Sequence, residues 1–364
     1  MERMTLALGN RRRRQVKNIQ RLRELKLEIL SRCSLQCVHC SSDASPERTG
    51  FLEPSLVRPL VRSFRRLGGE SVAISGGEPL EHPDLLSILR IVADESIQTT
   101  LYTSGTQGTD ALMPISTESA RSLKPLVATA VFSLQGATAS EHDRFTGRSG
   151  SYETVLASLT VCQEVGIPVA VHFVPTSANY RSLPEVIALL KRLRVPCISL
   201  LRFVPHGRGA HHALALDAGQ LSELRATVHS SVEDAEIAVR IGSPFRILHH
   251  PSSPPCTAGI DRLLITPEGT AYPCDAFKGF VYEDAYMNVF AVGLEAVWTR
   301  SGFLARARAL VGKIPVECSG CEKAANCQGG CLAQRAFAVQ ALDSVHRDPD
   351  CTMAAGDNAV GSGT

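Results

Sequence analysis

The chain has 364 residues, of which 44% are hydrophobic and 20% are charged, an ordinary composition for a globular protein with a sizeable core. Its formal net charge of +2 gives no reason to expect nucleic acid as a partner. No apolar run is long enough to cross a membrane, and the basic N-terminus lacks the apolar segment of a signal peptide, so we expect a cytoplasmic protein with no membrane partner. Twelve cysteines in such a chain favour metal binding over disulfides.

Between residues 25 and 204, apolar runs typical of strands alternate with segments of helical spacing. The predicted strands are 25–30, 71–74, 98–102, 127–134, 169–174 and 198–204. The predicted helices are 54–67, 83–93, 116–123, 152–165 and 183–193. This alternation predicts parallel βαβ units with right-handed crossovers. Six units are too few for a complete eight-unit barrel, so we predict an α/β fold with a partial, TIM-like (β/α)6 barrel over residues 25–208.

The remaining residues divide into four further segments by composition. A basic segment, 1–24, precedes the barrel, and a bridging region, 209–250, follows it with one helix at 218–228 and one strand at 237–241. A small cysteine-rich domain is predicted at 251–351, where 260–270 has the pattern of a hairpin. The small and polar residues of 352–364 predict a disordered tail.

Three cysteines lie directly after the first predicted strand, at Cys33, Cys37 and Cys40. Thiolates suit iron–sulfur clusters or zinc. Three of them on one loop can hold three corners of a four-iron cluster and leave the fourth iron open, whereas a closed structural site needs a fourth ligand nearby. The next cysteine is distant, at Cys162, and His39 is hard to use as a fourth ligand within the same loop. A zinc knuckle is the alternative to a cluster.

The cysteine spacing resembles the signature of the radical S-adenosylmethionine (SAM) enzymes, in which the open iron binds SAM and reduction yields a 5′-deoxyadenosyl radical. The resemblance continues after the second strand, where Gly76-Gly77-Glu78 is similar to the motif that binds the SAM amino group. It implies a six-unit partial barrel with the active site at the carboxyl ends of the strands.

Later strand ends extend this resemblance. Ser104 lies in a turn similar to the family's Thr-Asn-Gly, and Ser133 lies in a pattern whose serine contacts SAM, although Gln135 stands where that pattern has an aspartate. Arg144 is placed to pair with the SAM carboxylate, since a guanidinium fits a carboxylate bidentately. An ordinary turn at Ser104 and a surface salt bridge at Arg144 are the alternatives. The predicted cofactor contacts are His39, Gly76, Gly77, Glu78, Ser104, Ser133 and Arg144.

A second cysteine constellation follows in the C-terminal part. Its members are Cys256, Cys274, Cys318, Cys321, Cys327, Cys331 and Cys351. Seven thiolates fit groups of four zinc ligands poorly, although the Cys318–Cys321 pair alone also suits a zinc hook. The spacing resembles the SPASM domain of radical SAM enzymes that modify peptides. Cys162 and Cys197 lie in apolar contexts and are predicted to be inert core residues.

The SPASM resemblance implies two auxiliary four-iron clusters, and so three [4Fe-4S] clusters in all. Cys256, Cys274 and Cys331 would bind the first auxiliary cluster, with an open iron or a non-cysteine fourth ligand. The second would have full ligation, from Cys318, Cys321, Cys327 and Cys351.

We therefore predict a radical SAM oxidoreductase or maturase that abstracts hydrogen from a ribosomally made peptide, which it crosslinks or oxidises. An external one-electron donor such as flavodoxin or ferredoxin is the expected protein partner. Only about two dozen residues precede the barrel, so no separate leader-recognition domain is expected. The alternatives are a tailoring enzyme that acts on a small molecule, as a dehydrogenase or epimerase, and a non-enzymatic iron–sulfur module.

Overall fold

The computed structural model describes residues 20–234 and 236–353, so most of the predicted basic segment and of the predicted disordered tail lies outside the described residues. One sheet runs through the described chain. Its strands are β1 (Glu24–Glu28), β2 (Ser71–Ser75), β3 (Gln98–Thr103), β4 (Thr129–Ser133), β5 (Val169–Phe173), β6 (Cys197–Leu200), β7 (Ala238–Ile241), β8 (Arg262–Ile265) and β9 (Ala271–Tyr272).

Helices follow most of these strands. Those of the barrel and the bridging region are α1 (Pro54–Arg66), α2 (Leu85–Asp94), α3 (Thr117–Leu123), α4 (Ala139–Thr146), α5 (Ser151–Val165), α6 (Leu183–Arg192) and α7 (Ala218–Val232). Those of the C-terminal part are α8 (Val289–Val292), α9 (Leu294–Arg300), α10 (Gly302–Leu310), α11 (Ala324–Cys327) and α12 (Leu332–Val339). No helix within residues 20–234 and 236–353 is both long and apolar enough to cross a membrane.

The strand order is β7-β6-β5-β4-β3-β2-β1-β8-β9, and every neighbouring pair is parallel except β8 and β9. The sheet does not close, because β7 and β9 lie at opposite edges. The predicted partial barrel is therefore confirmed. The strands that the sequence places outside the barrel extend the sheet at both ends: β7 pairs with β6, and the hairpin of β8 and β9 joins β1 through β8.

Alternation along the strands separates an apolar face from a polar one. Leu25 and Leu27 of β1 belong to the main hydrophobic core, which the helices cover, together with Phe132 of β4 and other alternate strand residues. The intervening residues, such as Lys26 and His172, face the inside of the partial barrel. The sheet thus offers a lined interior at which the loops from its carboxyl ends converge.

The predicted hairpin and all six predicted helices are present in the structure, and the ends of the helices differ from the predicted ones by at most four residues. In the hairpin, Leu264 of β8 pairs with Tyr272 of β9. Helix α5 ends at Val165 and is capped by Gly166, whose φ of 85° is the left-handed conformation that a glycine adopts at low cost. The sixth strand ends at Leu200 instead of residue 204, and the chain from there to Arg208 is a loop that reaches the cysteines.

Candidate active site

The loop that carries Cys33, Cys37 and Cys40 follows β1, at the carboxyl edge of the sheet. Cys33 is buried, and Cys37 and Cys40 are partly exposed. The three thiols lie together: burial raises the pKa of Cys33 well above its usual value, and the neighbouring Cys37 and Cys40 raise it further. The cysteine loop therefore brings three soft ligands into one partly buried place, as the sequence predicts.

The paired glycines fix the start of this loop. The Gly77 amide donates to the Leu30 carbonyl at 2.7 Å, and the Glu78 amide donates to the Arg32 carbonyl at 2.8 Å. A Cβ atom on Gly77 would lie 1.8 Å from the Arg32 carbonyl oxygen, and Gly76 has a φ of 127°. Only glycine permits this approach of two backbones, so Gly76 and Gly77 position the cysteine loop.

Glu78 is fully buried and is held by groups of the chain itself. One of its carboxylate oxygens accepts from the Leu80 amide at 3.0 Å and from Thr103, and the other accepts from the Ser104 amide at 2.7 Å and from the Ser104 hydroxyl. Burial raises the pKa of Glu78 to about 7, although the four donors lower it. In this structure Glu78 and Ser104 join the ends of β2 and β3, and their contact with a cofactor stays a prediction.

Ser133, at the end of β4, contacts the residue in which the sequence departs from the family pattern. The Gln135 side chain donates to the Ser133 hydroxyl at 2.9 Å and accepts from the Val174 amide at 3.0 Å. The Gln135 amide donates to His142 Nδ1 at 3.0 Å. Gln135 thus joins the ends of β4 and β5 and fixes the orientation of Ser133.

Helix α4 holds the opposite side of the cysteine loop. The amides of Gln36 and Val38 donate to the carbonyls of Thr146 and Phe145, each at 3.0 Å. Arg144 is exposed and makes no ion pair with any residue of the described chain. Its guanidinium is therefore available to a ligand at the mouth of the barrel.

The His39 ring packs against Phe145, with 4.8 Å between the ring centroids. Burial lowers the pKa of His39 to about 4, so the ring is neutral. Its Nδ1 is buried and has no hydrogen-bond partner among the described residues. Because buried polar atoms are rarely left unpaired, this nitrogen fits a bound group that the chain itself does not supply.

Arg208 is a residue that the sequence analysis did not single out. Its guanidinium donates to the Cys37 carbonyl at 3.0 Å and to the Ala44 carbonyl at 2.7 Å. Burial raises the pKa of Cys37 to about 12, and the charge of Arg208 opposes that rise. Gly207 packs against the same loop, where a Cβ atom would lie 2.8 Å from the Cys40 carbonyl oxygen. Glycines on both sides of Arg208 are visible in the sequence and indicate a close approach of backbones. Only the fold shows that this segment contacts the cysteine loop.

The interior of the barrel carries charged and aromatic groups that the sequence analysis also missed or left open. Lys26 of β1 forms an ion pair with Asp275 and lies 5.1 Å from the centre of the Tyr102 ring. Tyr102 packs on His172, with 4.8 Å between the centroids. Burial lowers the pKa of His172 to about 3, so this ring is neutral at physiological pH.

A second ion pair lies near the first on β1. Lys278 contacts Glu28 at 2.6 Å and donates to the Ser42 hydroxyl at 2.6 Å, and Ser42 donates to Glu28 at 2.8 Å. These contacts join the segment after Cys274 to the cysteine loop. The barrel interior is thus polar, charged and bounded on one side by the C-terminal part of the chain.

The C-terminal cysteines form two groups. Burial raises the pKa of Cys274, and its neighbours Cys256 and Cys331 raise it further. Burial likewise raises the pKa values of Cys318 and Cys327, and neighbouring thiols, among them that of Cys351, raise both further. That second group comprises Cys318, Cys321, Cys327 and Cys351. The structure therefore brings together the two sets that the SPASM resemblance implies, while Cys162 and Cys197 lie apart from them, both buried in apolar clusters.

Buried arginines accompany these thiols. Burial lowers the pKa of Arg246 and of Arg335, and nearby groups oppose this: the thiols of Cys327 and Cys256 at Arg246, and Asp343, Cys318, Asp348 and Cys331 at Arg335. Both arginines are more than nine-tenths buried. Grouped cysteines with guanidinium groups beside them fit clusters that carry net negative charge, since a buried cation needs a nearby anion.

No three His, Cys, Asp or Glu side chains in the described chain converge closely enough to share one metal ion. A four-iron cluster does not need this convergence, because each thiolate binds a different iron. The chemistry of the donor sets therefore fits iron–sulfur clusters at all three places.

An open parallel barrel with grouped thiols at the carboxyl end of its first strand defines a metal-dependent α/β enzyme. Residues 27–194 match the model of the Radical SAM superfamily. The matched residues span β1 to α6, most of the partial barrel, and this part of the chain is therefore similar to the enzymes of that superfamily.

Relatives and solved structures extend this likeness over most of the chain. The PqqA peptide cyclase of Gluconobacter oxydans (strain 621H) is 26% identical over 90% of both chains. The AdoMet-dependent heme synthase of Methanosarcina barkeri is 30% identical over about half of each, 50% of this chain and 51% of its own. Streptococcus suis SuiB bound to the precursor peptide SuiA superposes with a TM-score of 0.75 at 20% identity, covering 96% of this chain and 81% of SuiB. AnSMEcpe with bound AdoMet superposes with a TM-score of 0.70 at 18% identity, covering 90% of this chain and 93% of its own.

Proposed function

We propose that this enzyme is a peptide-modifying radical SAM enzyme with a SPASM-type C-terminal domain, and that it crosslinks or oxidises a ribosomally made peptide. The observation that carries the proposal is the extent of the likeness to PqqA peptide cyclase, which spans 90% of both chains and so includes C-terminal cysteines. The likeness to the heme synthase spans only half of each chain. The fold shared with SuiB is consistent with a peptide substrate.

Ten cysteines would hold three [4Fe-4S] clusters. Cys33, Cys37 and Cys40 would bind the cluster that contacts SAM, and the two C-terminal groups would bind the auxiliary clusters. When bound, SAM and its cluster supply a 5′-deoxyadenosyl radical, and an external one-electron donor such as flavodoxin or ferredoxin supplies the electron. Twelve free cysteines in the structure support a reducing compartment, and we place the enzyme in the cytoplasm.

Several side chains would surround SAM and the substrate. Arg144 would pair with the SAM carboxylate, since its guanidinium is exposed at the mouth of the barrel and makes no ion pair with the described residues. His39 and Ser133 would contribute hydrogen bonds. Gly76 and Gly77 would hold the cysteine loop in place. Glu78 and Ser104, which are hydrogen-bonded to each other, would also contact the SAM amino group.

The test begins with anaerobic reconstitution, after which we expect about twelve iron atoms per chain, four for each cluster. The reduced enzyme is then incubated with SAM and the short peptide encoded beside its gene. The expected result is 5′-deoxyadenosine together with a peptide that has lost two hydrogen atoms for each bond formed or oxidation.

The matched variant replaces Cys33, Cys37 and Cys40 by alanine, and it should lose about four irons and all SAM cleavage. Deoxyadenosine without any change in the mass of the peptide would refute a peptide substrate and favour a small molecule. Zinc in place of iron, or no SAM cleavage, would contradict the cluster assignment.

A further inference from the structure

A partly open cavity of about 330 Å³ lies beside the candidate active site, between the loop that follows β6 and helix α12. Three aromatic rings line it, those of Phe203, Phe245 and Phe337, together with Leu216. The volume suits one large side chain with part of its backbone. A larger cavity, about 670 Å³, lies on the outer face between α1 and α2, and four of its ten lining residues are exposed arginines.

Gln334 adds a polar group to this apolar cavity. It lines the cavity from α12, is 7% exposed, and its Nε2 has no hydrogen-bond partner in the described chain. Buried amide groups in folded proteins nearly always have a partner. A peptide carbonyl would accept a hydrogen bond from this unpaired N–H group. The carbonyl in turn needs such a donor, because backbone N–H and C=O groups that leave water need hydrogen-bond partners.

The wall of the cavity also excludes one class of ligand. The Arg202 guanidinium is bonded to both oxygens of Asp348, at 2.5 and 2.7 Å, and to Asp350 at 2.5 Å. Arg202 and Asp350 line the cavity and are paired with each other, and Asp348, the second partner of Arg202, is fully buried, so the lining leaves no free cation for a ligand. An acidic side chain would lose its water here without gaining a partner, and an uncharged apolar one would not.

The cavity lies between two of the cysteine groups. Phe203 packs in one cluster with Val38 of the cysteine loop. Gln334 is three residues after Cys331, and Phe337 packs on His206 with 4.0 Å between ring centroids. A residue anchored here would hold the neighbouring residues of the same peptide beside the mouth of the barrel.

We infer that this cavity is an anchor pocket for one bulky apolar side chain of the peptide, and that the Gln334 amide donates to the carbonyl of that residue. The inference rests on the proposed function, because it names the class of residue that the substrate must carry close to the modified position. Acidic residues at that position would be rejected.

The probe is N-acetyl-L-phenylalanine amide, which carries one apolar side chain between two amides, and binding to the reconstituted holoenzyme is measured by equilibrium dialysis. We expect saturable binding of one molecule per chain at about 1 mM, given the size of the probe. N-acetyl-L-aspartate amide should not bind. Toluene, which has no amide, should bind equally well to the wild type and to Gln334→Leu.

Two variants locate the site. Ala215 lies at the rim of the cavity and is exposed, so Ala215→Trp should fill the cavity and weaken the binding of the phenylalanine probe by about tenfold or more. Ala213→Trp, on the same exposed loop but not lining the cavity, should leave binding unchanged. Gln334→Leu should weaken the phenylalanine probe by up to about tenfold and leave toluene unaffected. Iron content and circular dichroism show that each variant is folded.

Absence of saturable binding would refute the inference, and so would equal binding by wild type, Ala215→Trp and Gln334→Leu. These measurements need no turnover. If the probe binds as expected but no peptide is modified, the pocket stands and the proposed function fails. If a peptide is modified equally well by wild type and Ala215→Trp, the proposed function stands and the pocket fails.

Discussion

Removing one partner of the buried ion pair between Arg202 and Asp348 should strongly destabilise this enzyme, and Arg202→Met tests this. Arg202 is 7% exposed, and the Asp348 side chain is 0% exposed. The substitution keeps an apolar stem but leaves Asp348 buried without its cation. Breaking a buried pair in this way destabilises a protein by about 3–5 kcal/mol. The same carboxylate accepts from the Cys331 amide at 2.8 Å, so loss of iron should accompany the loss of stability.

The assay is anaerobic urea unfolding of the holoprotein, followed through Trp298 and through iron release. Trp298 is the sole tryptophan of the chain and is buried, so its fluorescence reports loss of the core. With a slope of about 3 kcal/mol per M, the expected destabilisation lowers the urea midpoint by about 1–1.7 M. Because bound clusters can break two-state behaviour, the comparison between variants is made on midpoints measured under identical conditions.

The matched control is Arg181→Met, which removes an ion pair with Glu223 whose two side chains are 75% and 54% exposed. Exposed pairs contribute at most about 1 kcal/mol, so its midpoint should move by about 0.3 M or less. If Arg202→Met and Arg181→Met shift the midpoint equally, or if Arg202→Met keeps its iron at the wild-type midpoint, the reasoning is wrong.

Three further predictions concern the surroundings of the cysteine loop. Gly77→Ala should place a Cβ atom against backbone and lose about four of the twelve expected irons, as measured by metal analysis; unchanged iron would contradict a role of Gly77 in holding the loop. Arg208→Ala should weaken the hold on the Cys37 carbonyl and speed iron loss to a chelator, with Arg208→Lys intermediate because lysine cannot make the same fork of bonds; equal rates for all three proteins would refute this. Burial lowers the pKa of His142 to about 4. Between pH 6.5 and 4 the ring is therefore protonated in the unfolded chain but not in the folded one, so unfolding takes up a proton. This group should lower the free energy of unfolding by at most about 1.4 kcal/mol for each pH unit by which the pH falls. His142→Gln should flatten the dependence of the urea midpoint on pH in that window, and an unchanged slope would contradict the buried neutral ring.

The order of the barrel could be predicted from the sequence because each strand is a short apolar run followed by a helical pattern. The two groups of cysteines could be recognised because the spacing of their members is visible in a single sequence. The strand–helix order and the cysteine motifs are both patterns within a few dozen residues, so local sequence is enough to predict them.

The contacts across the sheet could not be predicted in the same way. Lys26 and Asp275 are 249 residues apart, and nothing local marks either of them as a partner of the other. Arg208 lies in a glycine-rich segment of the sequence, but its bond to the cysteine loop depends on how the last part of the barrel folds back. Glu78 was expected at a ligand, and the structure shows in addition that four donors of the chain surround it. Long-range pairing of this kind follows from topology, which a single sequence does not display.

The position of β1 explains how the cysteine loop and the segment that carries Cys274 are held relative to one another. This strand pairs in parallel with β2 on one side and with β8 on the other, so that Leu27 is opposite both Ile74 and Ile265. Neighbouring strands lie about 4.8 Å apart. The cysteine loop leaves the carboxyl end of β1, and Cys274 comes two residues after β9, the hairpin partner of β8. Backbone hydrogen bonds therefore fix the distance between the first cysteine group and the next, and the ion pairs of Lys26 and Glu28 with the segment after Cys274 fix it a second time. A separation held by the sheet itself does not depend on flexible linkers, and electron exchange between the two proposed clusters would require such a fixed separation.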